Sequence, residues 1–162
     1  MRGLAIALLV ALTTGCPREK ASEPTGPVRD ATPKEVIAAT RGAIEQWRQA
    51  YEVRSMDALS KLYAHDLDVV VVTDGLTLIG WSSVEGLLND RLARAKDIHI
   101  RLKEIQVRAV SAGAAFAVAT MSREVGDGVT TVTENGTLTL VFRKDATGWL
   151  IVGEHYSYKR PG

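Results

Sequence analysis

Apolar positions change rhythm along this chain, and each change predicts an element. Ile37, Ile44, Trp47 and Tyr51, with Thr40 between them, recur at spacings of three and four and so share one helix face. Thr32-Pro33-Lys34-Glu35 opens that helix as a capping box: the threonine hydroxyl takes an orphan N–H, Glu35 reaches back, and proline suits the first turn. A shorter helix is predicted from 55 or 56 to 64, burying Met56, Leu59 and Leu62. The period then falls to two, and segments 68–72 and 76–79 flank Thr73-Asp74-Gly75, a hairpin signal. Ser82-Ser83-Val84-Glu85 repeats the capping-box pattern and predicts a third helix from there to about Ala95.

Beyond that point the chain reads as strand. Ile98, Ile100 and Leu102 alternate with polar residues, and the apolar phase then slips to Ile105, Val107 and Ala109. Strand side chains alternate strictly between faces, so a slip at Lys103-Glu104 predicts a β-bulge and a curved sheet. Strands over 114–125, 129–143 and 149–159 follow, separated by turns at Gly126-Asp127-Gly128 and 145–148. Asn135-Gly136 interrupts the middle one; it reads as a bulge rather than a hairpin turn, because both halves are strand-like.

The first 31 residues follow a different pattern. Met1-Arg2-Gly3 precedes an unbroken apolar run from Leu4 to Leu12, and Cys16, the single cysteine, follows Thr13-Thr14-Gly15. About nine apolar residues make a secretory h-region, too short for a hydrocarbon core that needs roughly 20 helical residues. Residues 17–31 are polar and carry Pro17, Pro24 and Pro27, a composition that cannot bury enough apolar surface to fold. They are expected to act as a tether reaching roughly 45 Å if extended.

Composition then bounds the function. The 162 residues hold 20 basic against 19 acidic side chains, a net charge of +1, so no general attraction toward nucleic acid is expected. About 130 residues beyond the tether suffice for one domain and one core.

The small residues before Cys16 resemble the bacterial lipobox, in which cleavage just before the cysteine leaves its thiol to carry lipid. Thr13 stands where that pattern usually has leucine, with Leu12 one place earlier. The resemblance implies a signal peptide over 1–15, a lipidated cysteine and tether over 16–31, and an exported, lipid-anchored protein at the outer membrane or periplasmic face of a bacterial envelope. An ordinary cleaved signal with an incidental cysteine, and an uncleaved anchor, are the alternatives.

The order α-α-β-β-α-β-β-β-β over 32–160 resembles the α+β cone of the nuclear transport factor 2-like superfamily, particularly its SnoaL-like branch. The likeness rests on Trp47, Ala58-Leu59, Leu62-Tyr63-Ala64, Asp66, Gly80 and above all the ending from Gly148-Trp149 through Ile151-Val152 to His155-Tyr156-Ser157. Members include isomerases, cyclases, dehydratases, hydrolases and non-catalytic binding modules, so the resemblance implies a fold more than a task. It also implies a pocket between the curved sheet and the first helix, and a homodimer through the sheet.

Alternation predicts the lining. If Trp149 and Ile151 face inward, so do His155 and Ser157, while Leu150, Val152, Glu154 and Tyr156 face out. The same parity turns Ala117, Ala119, Met121 and Arg123 inward, with Glu134, Leu138, Leu140 and Phe142 on the next strand, unless a bulge at Asn135-Gly136 swings Glu134 outward. The expected pocket is therefore Trp47, Tyr51, Tyr63, Ala117, Ala119, Met121, Arg123, Glu134, Leu140, His155 and Ser157.

The steroid isomerases of this fold use a carboxylate base with a Tyr and protonated-Asp oxyanion hole. The resemblance maps those positions onto Trp47, Val71 and Leu140, none of which can serve, so that chemistry is rejected. His155 is the residual candidate for a catalytic base, against the commoner role of a hydrogen-bonded structural histidine. His65-Asp66-x-Asp68 and Asp97-x-His99 have ligand-type residues at element ends, where capping explains them better than a metal. Arg91, Arg94, Lys96, Arg101 and Lys103, interspersed with acids, read as a solvated face, and Trp81 as rim packing or dimer contact. No cofactor is called for. The expected function is a tethered module that binds a small hydrophobic ligand or assembles with another copy; the alternative is a cofactor-free isomerase, dehydratase or hydrolase using His155.

Overall fold

The computed structural model describes residues 30–158. The expected signal peptide, Cys16 and all but the last two residues of the tether lie outside the described residues. The element order is α1 (Pro33–Glu52), α2 (Met56–Ser60), β1 (Val70–Thr73), β2 (Leu76–Ile79), α3 (Trp81–Arg94), β3 (Asp97–Ser111), β4 (Ala114–Gly126), β5 (Thr131–Lys144) and β6 (Trp149–Tyr158). This is the expected α+β cone: a six-stranded curved sheet, ordered β2-β1-β6-β5-β4-β3, with helices on its concave side. No helix among the described residues is long and apolar enough to cross a membrane.

Local chemistry explains most boundaries. The Thr32 capping box forms in full, with the Glu35 amide donating to the Thr32 hydroxyl at 3.3 Å and the Thr32 amide to Glu35 at 2.7 Å. The β1–β2 turn places Asp74 and Gly75 at φ 52° and 75°, the paired left-handed conformations of a type I′ hairpin. α2 ends at Ser60, short of the expected 64, because Ala64 and Ile151 exchange backbone bonds with β6 and the turn after α2. α3 begins earlier than expected. Its N-cap is Gly80 at φ 82°, so the Ser82 box caps nothing; the tight exit from β2 requires a left-handed residue there.

The bulge at Lys103-Glu104 is present: the β3–β4 register shifts between Lys103 and Gln106, and Glu104 sits at φ 53°. α1 then covers the free edge of β3. Arg41 donates to the Ile105 carbonyl at 2.9 Å and Glu52 accepts from the Ile100 amide at 3.1 Å, satisfying backbone groups that an edge strand leaves unpaired.

Two expectations about parity fail. The β4–β5 ladder runs in unbroken register from Ala114↔Arg143 to Gly126↔Thr131, so Asn135-Gly136 is no bulge and Glu134 faces inward. Gly136 serves a different need: a Cβ there would come 1.9 Å from the Ser157 carbonyl oxygen on β6. The bulge lies instead in β6, where Val141 pairs with Gly153 and Phe142 with Ile151, leaving Val152 extra. One extra residue exchanges the two faces of the strand beyond it. Glu154 and Tyr156 are therefore buried, and His155 and Ser157 lie on the exposed outer face.

Candidate ligand-binding site

The inward side of the sheet divides into an apolar end and a polar end. At the apolar end Ala117, Ala119 and Leu140 of the expected pocket pack with Ile44, Ile105 and Leu138 around a void of only about 10 Å³. They are core, and line nothing that a ligand could enter. Met121 is likewise buried in the core.

At the polar end a cavity of about 350 Å³ is lined by Tyr51 of α1, Arg91 and Arg94 of α3, Ile98 of β3, Arg123 and Val125 of β4, Val132 and Glu134 of β5, and the turn residues Asp74, Asp127 and Thr130. Strand parity predicts Arg123 and Glu134 of this lining, and helical spacing on α1 predicts Tyr51. Arg91 was not, and the reading of it as part of a solvated face is corrected: it follows Val84 and Leu88 at helical spacing on the buried stripe of α3. Its side chain is 15% exposed, whereas that of Arg94, three residues on, is 77% exposed and pairs with Asp90 at 2.7 Å.

Each charged side chain at this end is held in place by others. Arg123 donates through Nε to Glu134 at 2.7 Å and through Nη2 to the Tyr158 hydroxyl at 2.6 Å. Its guanidinium lies 5.3 Å from the Tyr156 ring centre and 5.7 Å from that of Tyr158, within cation–π range. Arg91 donates through Nη2 to the Thr73 hydroxyl at 2.7 Å, and its Nη1 stands 3.8 Å from Glu154. Burial alone would depress Arg91, but Tyr51 and Glu154 outweigh it and keep the guanidinium charged.

Glu154, outward by strict alternation, is turned inward by the β6 bulge. It is 5% exposed, lies between Val71 on β1 and Leu140 on β5, and accepts a short hydrogen bond from the Tyr63 hydroxyl. Tyr63 in turn accepts from the Trp47 indole at 2.9 Å. The three positions tied to isomerase chemistry, Trp47, Val71 and Leu140, thus surround a carboxylate supplied by β6. Trp47 and Tyr63 stand behind the cavity, anchoring Glu154, which anchors Arg91. Burial and the Glu154 charge push the Tyr63 phenol well above its ordinary range, so it stays a donor.

Two polar atoms at this end are buried without a hydrogen-bond partner in the structure: the Tyr51 hydroxyl and Arg91 Nη1. They lie within side-chain hydrogen-bonding reach of each other, but the contact is not aligned as a hydrogen bond, and among the described residues neither atom has another hydrogen-bond partner. Burial, followed by the Glu154 charge, pushes Tyr51 up to about 12.

The other candidates have local explanations. His65 hydrogen-bonds Ser60 and stacks on Trp81 at 4.1 Å between ring centres. Asp66 accepts from the amides of Asp68 and Val69 and pairs with Arg143 at 2.5 Å. His99 is exposed on the outer side of β3, and no group of three or more metal-ligating side chains gathers among the described residues.

The SnoaL-like domain profile matches residues 41–161, three-quarters of the chain. The chain belongs to the SnoaL-like family. Solved structures agree on the fold. A proposed dehydratase of the nuclear transport factor 2-like family from Streptomyces avermitilis is similar at a TM-score of 0.74 and 24% identity, over 80% of this chain and 100% of that one. A proposed aromatic ring hydroxylase from Novosphingobium aromaticivorans gives 0.72 and 18%, over 81% and 94%. A proposed scytalone dehydratase from Novosphingobium aromaticivorans gives 0.69 and 11%, over 77% and 85%. No curated protein sequence matches. At these identities the likeness is one of fold, and SnoaL-like domains serve both ligand binding and catalysis.

Proposed function

We propose that this SnoaL-like domain is a membrane-tethered binding module whose cavity holds one small organic molecule. The observation that carries the reading is the cavity itself: about 350 Å³, with Ile98, Val125 and Val132 on its walls and fixed polar groups at its floor. The ligand is amphipathic rather than purely hydrophobic, since three arginines and a tyrosine line the cavity. Mass spectrometry of whatever is released on denaturing the full-length protein, purified from its native membrane, tests this. One small molecule should be released in near-stoichiometric amount, and Val132→Trp, which fills the cavity, should abolish it. Release of nothing, or an equal yield from the tryptophan variant, would sink the reading.

Tethering through Cys16 completes the proposal and is supported by the lipobox-like start alone. Palmitate labelling that disappears in Cys16→Ser supports it; an unlabelled native chain rejects it. Pairing of two copies through the outer sheet face is supported by Phe116 and Val141, exposed cross-strand neighbours at 38% and 42%. Phe116→Glu should reduce a dimer to a monomer in sedimentation, and a wild type that is already monomeric overturns that part.

Catalysis is the second reading, favoured by the relatives named as dehydratases. His155 and Ser157 lie outside that cavity, on a more open depression of about 680 Å³ that they share with Glu134; Glu134, which lines both, is the carboxylate placed to exchange a proton with a bound molecule. Recovery of a ligand pair related by loss of water would favour it.

A further inference from the structure

The charges at the polar end narrow the ligand's chemistry, an argument that rests on the cavity being a binding site. Three arginines line it, and their partners differ. Arg123 is taken up by Glu134 and Tyr158, and Arg94 by Asp90 on its own helix. Arg91 is held through Nη2 by Thr73, which leaves Nη1 buried with Glu154 beyond hydrogen-bond reach at 3.8 Å.

Beside it, 1% exposed and lining the same cavity, Tyr51 carries the second unsatisfied polar atom. The two atoms reach each other only through a misaligned contact, and buried donors without an aligned acceptor are rare and costly, so two of them side by side on one cavity point to an acceptor that comes from outside the chain. Both can donate: the guanidinium always, the phenol because its proton is held to about pH 12.

We propose that the ligand is a monocarboxylate, its two oxygens accepting one hydrogen bond each from Arg91 Nη1 and the Tyr51 hydroxyl while its apolar body lies against Ile98, Val125 and Val132. Two donors match the two oxygens of a carboxylate. A phosphate dianion would face Glu134 and Asp74 on the cavity wall with Arg91 as the available cation, which disfavours a second negative charge. Volume adds a bound: at about 30 Å³ per small heavy-atom group, the cavity accepts roughly a dozen such groups, the size of a bicyclic acid. Glu154, Tyr63 and Thr73 are positioning residues that aim Arg91.

The test uses the full-length protein in phospholipid nanodiscs, with empty nanodiscs as the blank, titrated calorimetrically at pH 7 with 2-naphthoate and its neutral isostere 2-naphthamide. Naphthoate should bind at least about tenfold more tightly. Tyr51→Phe deletes a hydroxyl whose contact with Arg91 is misaligned; its melting temperature should stay equal or rise, while naphthoate affinity falls about tenfold. Arg91→Gln should erase the preference for the acid. Equal affinity for acid and amide would overturn the carboxylate inference and leave the cavity reading standing. A preference for the acid that survives both substitutions would also overturn it, by moving the head group elsewhere. Failure of both probes to bind at millimolar concentration would overturn both.

Discussion

One ladder of paired strands builds two ends of the cone that differ in kind. Along β4 and β5 the inward pairs run Ala115–Phe142, Ala117–Leu140 and Ala119–Leu138, then Met121–Gly136, then Arg123–Glu134. Small opposes large at the first end, which is how facing side chains fill space without voids, and what remains open is about 10 Å³. At the other end an ion pair replaces the apolar pair, and about 350 Å³ stays open. The difference teaches that the polar end resists collapse because its long side chains are anchored to one another. Trp47 holds Tyr63, Tyr63 holds Glu154, and Glu154 and Thr73 hold Arg91.

If anchoring is what keeps the polar end open, removing one anchor should cost as much as emptying the packed end. Glu154→Ala leaves a largely buried guanidinium without its carboxylate and the Tyr63 hydroxyl without its acceptor, an expected loss of about 3–5 kcal/mol in denaturant unfolding. A loss below about 1 kcal/mol would mean that Arg91 turns freely into solvent and that the two ends do not differ as described. Leu138→Ala is the matching change at the packed end, expected to cost about 2–5 kcal/mol while leaving naphthoate affinity within about twofold. A large change in affinity would show the two ends to be mechanically one.

Tyr63→Phe sharpens the comparison at the link between indole and carboxylate. It removes the donor to Glu154 and the acceptor of the Trp47 indole with almost no change of shape, so about 1–3 kcal/mol should be lost. Tyr51→Phe, one helical turn from Trp47 on α1, should cost nothing. If the two phenylalanine variants lose equal stability, the contrast between a structural tyrosine and a ligand-facing one is gone.

Sequence reasoning reached the fold almost whole and the site in part, and the two bulges explain why. In β3 the slip from Leu102 to Ile105 is visible because polar residues mark the other face on both sides of it. In β6 the run Trp149-Leu150-Ile151-Val152-Gly153 is apolar or neutral at every position, so nothing records which residue is extra. Strict alternation continued past Val152 therefore exchanges the inner Glu154 and Tyr156 for the outer His155 and Ser157. Arg91 was hidden differently. Its spacing from Val84 and Leu88 marks the buried stripe, but Arg94 and Lys96 nearby make it look like one more surface cation. Gly136 misleads because close approach of the β6 backbone and a bulge leave the same mark in a strand.

The smallest effect concerns charges that belong to neither end. Glu45, on the solvent side of α1, is pulled from 4.5 to about 2, chiefly by its hydrogen bond from Arg48, and Asp66 is lowered by its bond from Arg143. A carboxyl depressed by folding binds fewer protons in the native state than in the unfolded one. Its contribution is therefore complete above about pH 4.5 and is lost as the pH falls toward about 2. Because the Glu45 side chain is 51% exposed, solvent screening keeps its share below about 1 kcal/mol. Melting temperature followed from pH 6 to pH 2.5 should fall less in Glu45→Gln than in the native chain, and salt near 1 M should shrink that difference by shortening the screening length to about 3 Å. Salt should leave the cost of Leu138→Ala untouched, since dispersion and burial at the packed end carry no net charge. A Leu138→Ala penalty that varied with salt as strongly as the Glu45 difference would show that the packed end, too, depends on the charges around it.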